Sequence, residues 1–172
     1  MNYIKEIKLF NNDEAKSVNM IVEIVKGSKD KNELVPNTFD KVEKVRKCKI
    51  KYPFYYGCFP QTLAGDKDPA DAILLTNNKH KVLDVVKVQP IAVIKTIDEG
   101  EEDNKIICVE GPIRNVDKKI VKALKFLKVY KGKKADMIVD EKIYDAEEAL
   151  KVLMMSNNNS VAKAKVTSIK IG

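Results

Sequence analysis

The chain has 172 residues, 44% hydrophobic and 33% charged, with a net charge of +7, which gives enough apolar chain for one domain with a real core and excludes an intrinsically disordered composition. Residues Met1 to Glu6 hold no apolar signal run, and the most apolar stretch, from Val82 to Ile94, is broken by Asp84, Lys87 and Pro90, so the expectation is a single domain over 1–172, cytoplasmic and without a membrane anchor. Three cysteines, Cys48, Cys58 and Cys108, show no paired metal spacing and the single His80 lies in a turn-like stretch, which disfavours zinc sites and histidine triads and fits reduced thiols buried as small hydrophobes.

In chain order, Asn19 to Val25 reads as a strand of β-branched and apolar residues with Glu23 embedded in it. A carboxylate there belongs either to a solvent face or to a polar cavity. Gly27 to Asp30 makes a turn, and Lys31-Asn32-Glu33 follows as an extended segment with Lys31 and Glu33 on one side. Lys41 to Lys51 alternates loosely as a strand or hairpin and runs into the aromatic cluster Tyr52-Pro53-Phe54-Tyr55-Tyr56-Gly57. Most of that cluster is core material, although a phenol also offers an anion an uncharged donor.

Asp66-Lys67-Asp68-Pro69-Ala70-Asp71 then places three carboxylates in six residues. At ~4 Å and an effective dielectric of ~20, two carboxylates repel by about 4 kcal/mol, so such crowding fits either a solvated turn or a cluster gathered around a hard cation, Mg²⁺ or Ca²⁺. An EF-hand loop beginning at Asp66 is excluded, because Ala70, Asp71 and Asn77 stand where its acid, glycine and glutamate are required. Ala72 to Leu75, Val82 to Ile97 and Ile106 to Val109 are strand-like. Between the last two lies a second acidic loop, Asp98-Glu99-Gly100-Glu101-Glu102-Asp103, followed by Asn104 and Lys105. From Asp66 to Asp103 there are nine acids against five lysines, leaving a surplus of +11 on the rest of the chain; most of those lysines read as an ordinary solvated surface, and the arrangement would also suit drawing an anion toward an acidic, metal-filled centre.

Past Gly111-Pro112 the periodicity becomes helical. Val116, Ile120, Val121, Ala123, Leu124 and Leu127 form an apolar stripe to Tyr130, with Gly132 as a stop. A second helix starts at Asp145, with Glu148 completing a capping-box pattern, and is expected to end near Met155 at Asn157 to Asn159, leaving residues 156–172 unassigned.

The order of these pieces resembles the soluble family I inorganic pyrophosphatases: Ile21-Val22-Glu23-Ile24, Lys31-x-Glu33, Tyr52-Pro53-x-x-Tyr56-Gly57, Asp66-x-Asp68-Pro69-x-Asp71, Asp98-Glu99-x-x-x-Asp103-x-Lys105 and Tyr130-Lys131. The resemblance implies a mainly β fold with α, a small closed OB-like β-barrel with two flanking α-helices. It also implies Mg²⁺-dependent hydrolysis of pyrophosphate to two phosphates. By position, Asp66, Asp71 and Asp103 would hold the tightest metal, Asp68 would take the proton of the attacking water, and Glu23, Asp98 and Glu33 would serve further ions. Lys31, Tyr56, Lys105, Tyr130 and Lys131 would contact the phosphoryl oxygens. The family arginine falls eight residues before Tyr52, at Lys44, with Arg46 two residues on; the expectation is Lys44. A homo-oligomer, a hexamer for chains of this short type, is implied as well, with no nucleic acid or membrane partner. Two other readings stay open: a different phosphoanhydride at the same site, or a basic OB-like module binding single-stranded nucleic acid. Against the latter stand the 6% aromatic content and the absence of tryptophan.

Overall fold

The computed structural model describes residues 7–11, 17–35 and 41–171, with residues 166–171 as backbone only. Residues 1–6, expected to lack a signal segment, lie outside the described residues. The strands are β1 (Val18–Ile24), β2 (Asp30–Leu34), β3 (Val42–Lys47), β4 (Tyr55–Cys58), β5 (Asp71–Leu75), β6 (Val85–Asp98), β7 (Glu101–Glu102), β8 (Lys105–Val109) and β9 (Met137–Tyr144); the helices are α1 (Val116–Val129) and α2 (Ala146–Ile171).

Hydrogen bonding runs β1-β4-β5-β8-β6 and returns from β6 to β1 through Val18↔Val88 to Ile21↔Val85, which closes a ring of strands. β5 and β8 are parallel, and the other ring pairs are antiparallel. This is the mainly β architecture with two helices that the sequence implies. β9 extends β6 beyond the ring, and β2–β3 forms a separate hairpin.

Both faces of the ring are covered. Val18, Met20, Val22, Ala72, Leu74, Val86, Ile106 and Cys108 gather on one face with Ala149 and Leu153 of α2. The alternate residues Ile73, Leu75 and Ile107 pack on the other with Tyr52, Phe54 and the α1 side chains Ile120, Leu124, Phe126 and Leu127. Each buried Val, Leu, Ile, Phe or Met among them contributes about 1.5–3 kcal/mol by leaving water. The α1 stripe differs from its sequence reading at two places: Phe126 is buried and Val121 is 41% exposed.

The second helix needs a larger correction. Asp145 does cap it, accepting the Glu148 N–H at 3.1 Å, but the helix runs through Asn157–Asn159 to Ile171 rather than ending near Met155. The asparagine amides do not compete with the helix backbone. Asn157 donates to the Gln61 carbonyl at 2.8 Å and Asn159 to that of Leu63 at 3.3 Å, so tertiary bonds override local propensity. Those bonds also tie α2 to the loop that leads into Asp66.

Irregularities in the sheet matter as much as the ladders. Val22 pairs with Gly57 and Ile24 with Tyr56, leaving Glu23 as the extra residue of a β-bulge. Pro90 is tolerated inside β6 because a second bulge follows it at Ile91. A third falls in β3, where Arg46 faces Lys31 and Lys44 faces Asn32 with Val45 between. Bulges re-aim side chains at sheet ends and beside sites.

β1 and β4 approach closely at Gly57, where an added Cβ would lie 1.9 Å from the Ile21 carbonyl oxygen. Gly57→Ala therefore forces the two ring strands apart and is expected to destabilise the fold by about 3 kcal/mol; an unchanged urea midpoint would contradict this packing.

Candidate active site

The register of the parallel pair sets Asp71, at the start of β5, directly beside Lys105, at the start of β8. The Lys105 ammonium lies 2.5 Å from Asp71 and 2.6 Å from Asp103, with its side chain only 1% exposed. Burial alone would discharge this lysine, but Asp71 and Asp103 outweigh it and hold its pKa above the ordinary range. Burial likewise pushes the carboxyls up. Asp103 is raised by burial and by Asp71, while at Asp71 burial is overcome by Lys105 and by hydrogen bonds from Asp103, Lys105 and Tyr56, which keep it ionised. Tyr56, on β4, stays protonated because burial and then Asp71 oppose its ionisation.

The bulge at Glu23 turns its carboxylate inward, where it accepts the Leu34 N–H at 2.8 Å. Burial is the main reason its pKa rises to about 8, with Asp71 and Glu33 adding to the effect. Asn32 donates to the Glu23 carbonyl at 3.0 Å, so the β2–β3 hairpin is pinned to β1 at this point. Lys31 and Glu33 pair at 2.9 Å on that hairpin.

Asp66 and Asp68 occupy the turn before β5. The Asp68 N–H donates to Asp66 Oδ1 at 3.0 Å, and Lys67 takes a left-handed φ of 69°. Both carboxyls are raised, first by burial and then by neighbouring acids: Asp71 and Asp68 act on Asp66, and Glu33 and Asp71 act on Asp68. Thus Glu23, Glu33, Asp66, Asp68, Asp71 and Asp103 share one field. Asp98 closes β6 and pairs with Lys131 just past α1. Partial burial, then Lys31 and Arg46, lower Lys131 to about 8, so three cations are as crowded as the acids.

The two candidates for the arginine position part company. Lys44 is 57% exposed at its side chain and, among the described residues, pairs with Asp30 at 3.9 Å. Arg46 lies opposite Lys31, with its guanidinium 5.4 Å from the Tyr130 ring centre and a buried Nη2 that has no hydrogen-bond partner among the described residues. The structure therefore groups Arg46, not Lys44, with Lys31, Tyr130 and Lys131. Counting back from Tyr52 does not report which β3 residue faces Lys31, because it assumes a fixed number of residues between β3 and the Tyr52-Pro53 stretch.

Among the described residues no three histidine, cysteine or acid side chains are gathered as a ready metal cage; between Asp71 and Asp103 the Lys105 ammonium supplies the positive charge. The donor set nonetheless fits a hard divalent ion, since it consists of carboxylate oxygens whose shared field makes ionisation costly without a cation. Beside it, the Arg46 guanidinium, the Lys31 and Lys131 ammoniums and the Tyr56 and Tyr130 phenols can hold a multiply charged oxyanion.

The family model for inorganic pyrophosphatase matches residues 20–160. The chain is 30% identical over 158 residues to soluble inorganic pyrophosphatase 2 of Chlamydomonas reinhardtii, covering 86% of this chain and 82% of that one. It is 36% identical over 98 residues to the inorganic pyrophosphatase of Synechocystis sp., where the match spans 54% of this chain and 55% of the relative. In structure it is similar to an inorganic pyrophosphatase from Neisseria gonorrhoeae, with a TM-score of 0.79, 26% identity and coverage of 92% of this chain and 98% of that one.

Removing the buried ammonium isolates the charge geometry. Lys105→Met is expected to destabilise the metal-free protein by about 3–5 kcal/mol, because it leaves buried carboxylates uncompensated. Added Mg²⁺ should then raise the variant's Tm by more than it raises that of the parent; equal shifts would show that the acids do not share a cation position with Lys105.

Proposed function

The chain belongs to the inorganic pyrophosphatase family, which makes it a phosphoanhydride hydrolase, and we propose that it cleaves pyrophosphate into two phosphates with Mg²⁺, using Asp68 as general base. The observation that carries this reading is the gathering of Asp71 and Asp103 around Lys105, with Arg46, whose buried Nη2 has no hydrogen-bond partner among the described residues, set opposite Lys31. Asp66, Asp71 and Asp103 would hold the tightest ion, with Glu23, Glu33 and Asp98 serving others directly or through water. Bound Mg²⁺ lowers the pKa of water and neutralises phosphate charge.

Asp68 is exposed and has no lysine ion pair among the described residues, so it can receive the proton when the water oxygen bonds to phosphorus. The bond from that phosphorus to the bridging oxygen breaks, and the bridging oxygen leaves on the second phosphate. Lys31, Arg46, Lys105 and Lys131 would orient the phosphoryl oxygens and offset the charge that builds on the leaving group. Protonated Tyr56 and Tyr130 add hydrogen bonds without adding charge. Lys105 and Lys131 rest on Asp71, Asp103 and Asp98; where those acids would hold an ion, both lysines would be free to face the substrate.

A cytoplasmic, oligomeric protein completes the proposal. The three cysteines are free and buried, as suits a reducing compartment. No described helix is long and apolar enough to cross a membrane. Ile97 and Ile138 face each other across β6–β9 and remain 42% and 63% exposed, an apolar surface that another copy would cover. The nucleic-acid alternative gains no support, because Tyr52, Phe54, Tyr56 and Phe126 are buried against one another and offer no open stacking face.

Purified protein should release phosphate from pyrophosphate with Mg²⁺, lose that activity with excess chelator, and release little from ATP. Equal release from ATP would establish the wider phosphoanhydride reading, and no release would refute the assignment. Asp68→Asn should lower kcat by about 10²–10⁴-fold while still binding metal. Separately, Arg46→Ala should raise KM for pyrophosphate by about 10–100-fold, the loss of a charge-assisted hydrogen bond of roughly 1.5–3 kcal/mol, whereas Lys44→Ala should change it less than about twofold. The opposite ranking would return the role to Lys44.

A further inference from the structure

The hairpin that carries Asp103 is tight and largely exposed. Glu99 and Gly100 form its two-residue turn with φ of 50° and 82°, and β7 pairs with β6 only through Ile97↔Glu102 and Asp98↔Glu101. All four residues from Glu99 to Glu102 are exposed. Asp103 follows immediately, yet it is buried, 8% exposed, at the centre of the acidic group. A ligating carboxylate must be held to a fraction of an ångström, and a short exposed hairpin is a poor anchor for one.

An anchor is present one step behind it. Thr96, 1% exposed in β6, accepts the Asp103 N–H at 3.0 Å through its carbonyl. The Thr96 N–H turns to the side chain of Asn104, meeting Oδ1 at 3.1 Å. The Thr96 hydroxyl in turn donates to the Asp103 carbonyl. The Thr96 backbone carbonyl and hydroxyl thus hold the peptides on either side of Asp103, the Asn104 side chain holds the Thr96 N–H in turn, and the strand behind them is fixed on its other edge by Thr96↔Val139.

We propose that Thr96 and Asn104 are positioning residues for the Asp103 carboxylate, setting the affinity of the acidic site for its divalent ion without touching ion or substrate. This rests on reading that acidic group as the metal site. Groups that orient ligands in this way are typically worth 10–100-fold in metal affinity. The threonine hydroxyl is the sharper test, since Thr96→Val keeps the shape and removes one donor.

The test is direct titration with Mn²⁺, followed by electron paramagnetic resonance, on the full chain without substrate and beside a thermal melt. Thr96→Val and Asn104→Ala should each weaken Mn²⁺ binding about 10-fold, and Thr96→Ser should stay within about twofold of the parent. In turnover, the Mg²⁺ midpoint should rise by more than kcat falls. Variants that melt earlier but bind Mn²⁺ with the parent midpoint would reduce both residues to a structural role and overturn the proposal. Should Thr96→Val not fold, Asn104→Ala, altered at a half-buried position, decides the matter. A parent protein that binds no Mn²⁺ would instead overturn the metal reading itself.

Discussion

Lys105 lies between Asp71 and Asp103 in a place almost closed to water, and the layout of the site follows from that one contact. Two carboxylates at such separation repel by several kcal/mol unless a positive charge stands between them. An ammonium there is itself costly to bury unless both acids are ionised or share a single proton. Each group makes the others tolerable, and the parallel register Asp71↔Lys105 supplies the alignment. The fold brings together charges that no solvated loop would keep, which is the electrostatic condition for a site that concentrates divalent cations.

Around that centre the sheet is regular where it builds the core and irregular where it serves chemistry. The bulge at Glu23 turns a carboxylate inward from an otherwise apolar strand. The bulge at Val45 brings Arg46 into line with Lys31. Where β6 meets Asp103, side-chain bonds from Thr96 and Asn104 stand beside the backbone ladder. Support from farther away comes through α2, whose asparagines hold the 61–63 loop ahead of Asp66.

Much of this was legible in the sequence. The apolar runs in β1, β5, β6 and β8 gave the strands, the helical stripe gave α1, and the crowding of acids at Asp66–Asp71 and Asp98–Asp103 pointed to the candidate site, although a solvated turn would have shown the same pattern. Other features were not, for physical reasons. β9 carries Asp140, Glu141 and Lys142 within a bulged segment, so no clean alternation marks it. The end of α2 was misplaced because asparagine disfavours helix interiors only when its amide has no better partner. That Arg46 stands opposite Lys31 and beside Tyr130 is a matter of strand register, which counting residues from Tyr52 does not report. Thr96 and Asn104 gave no signal, being ordinary polar residues until the fold sets them against each other.

The parallel pairing of β5 with β8 also bears on how the molecule reaches its working form. Asp71 and Lys105 are 34 positions apart, and parallel strands cannot be joined by a local hairpin, so their meeting waits for the intervening β6 to be laid down and for loop-closure entropy to be overcome. No fragment containing only one of the two acidic segments holds the complete charge cluster. The Asp71–Lys105 contact thus exists only where β5 and β8 are paired, so it marks the non-local topology of the sheet rather than the presence of its separate strands.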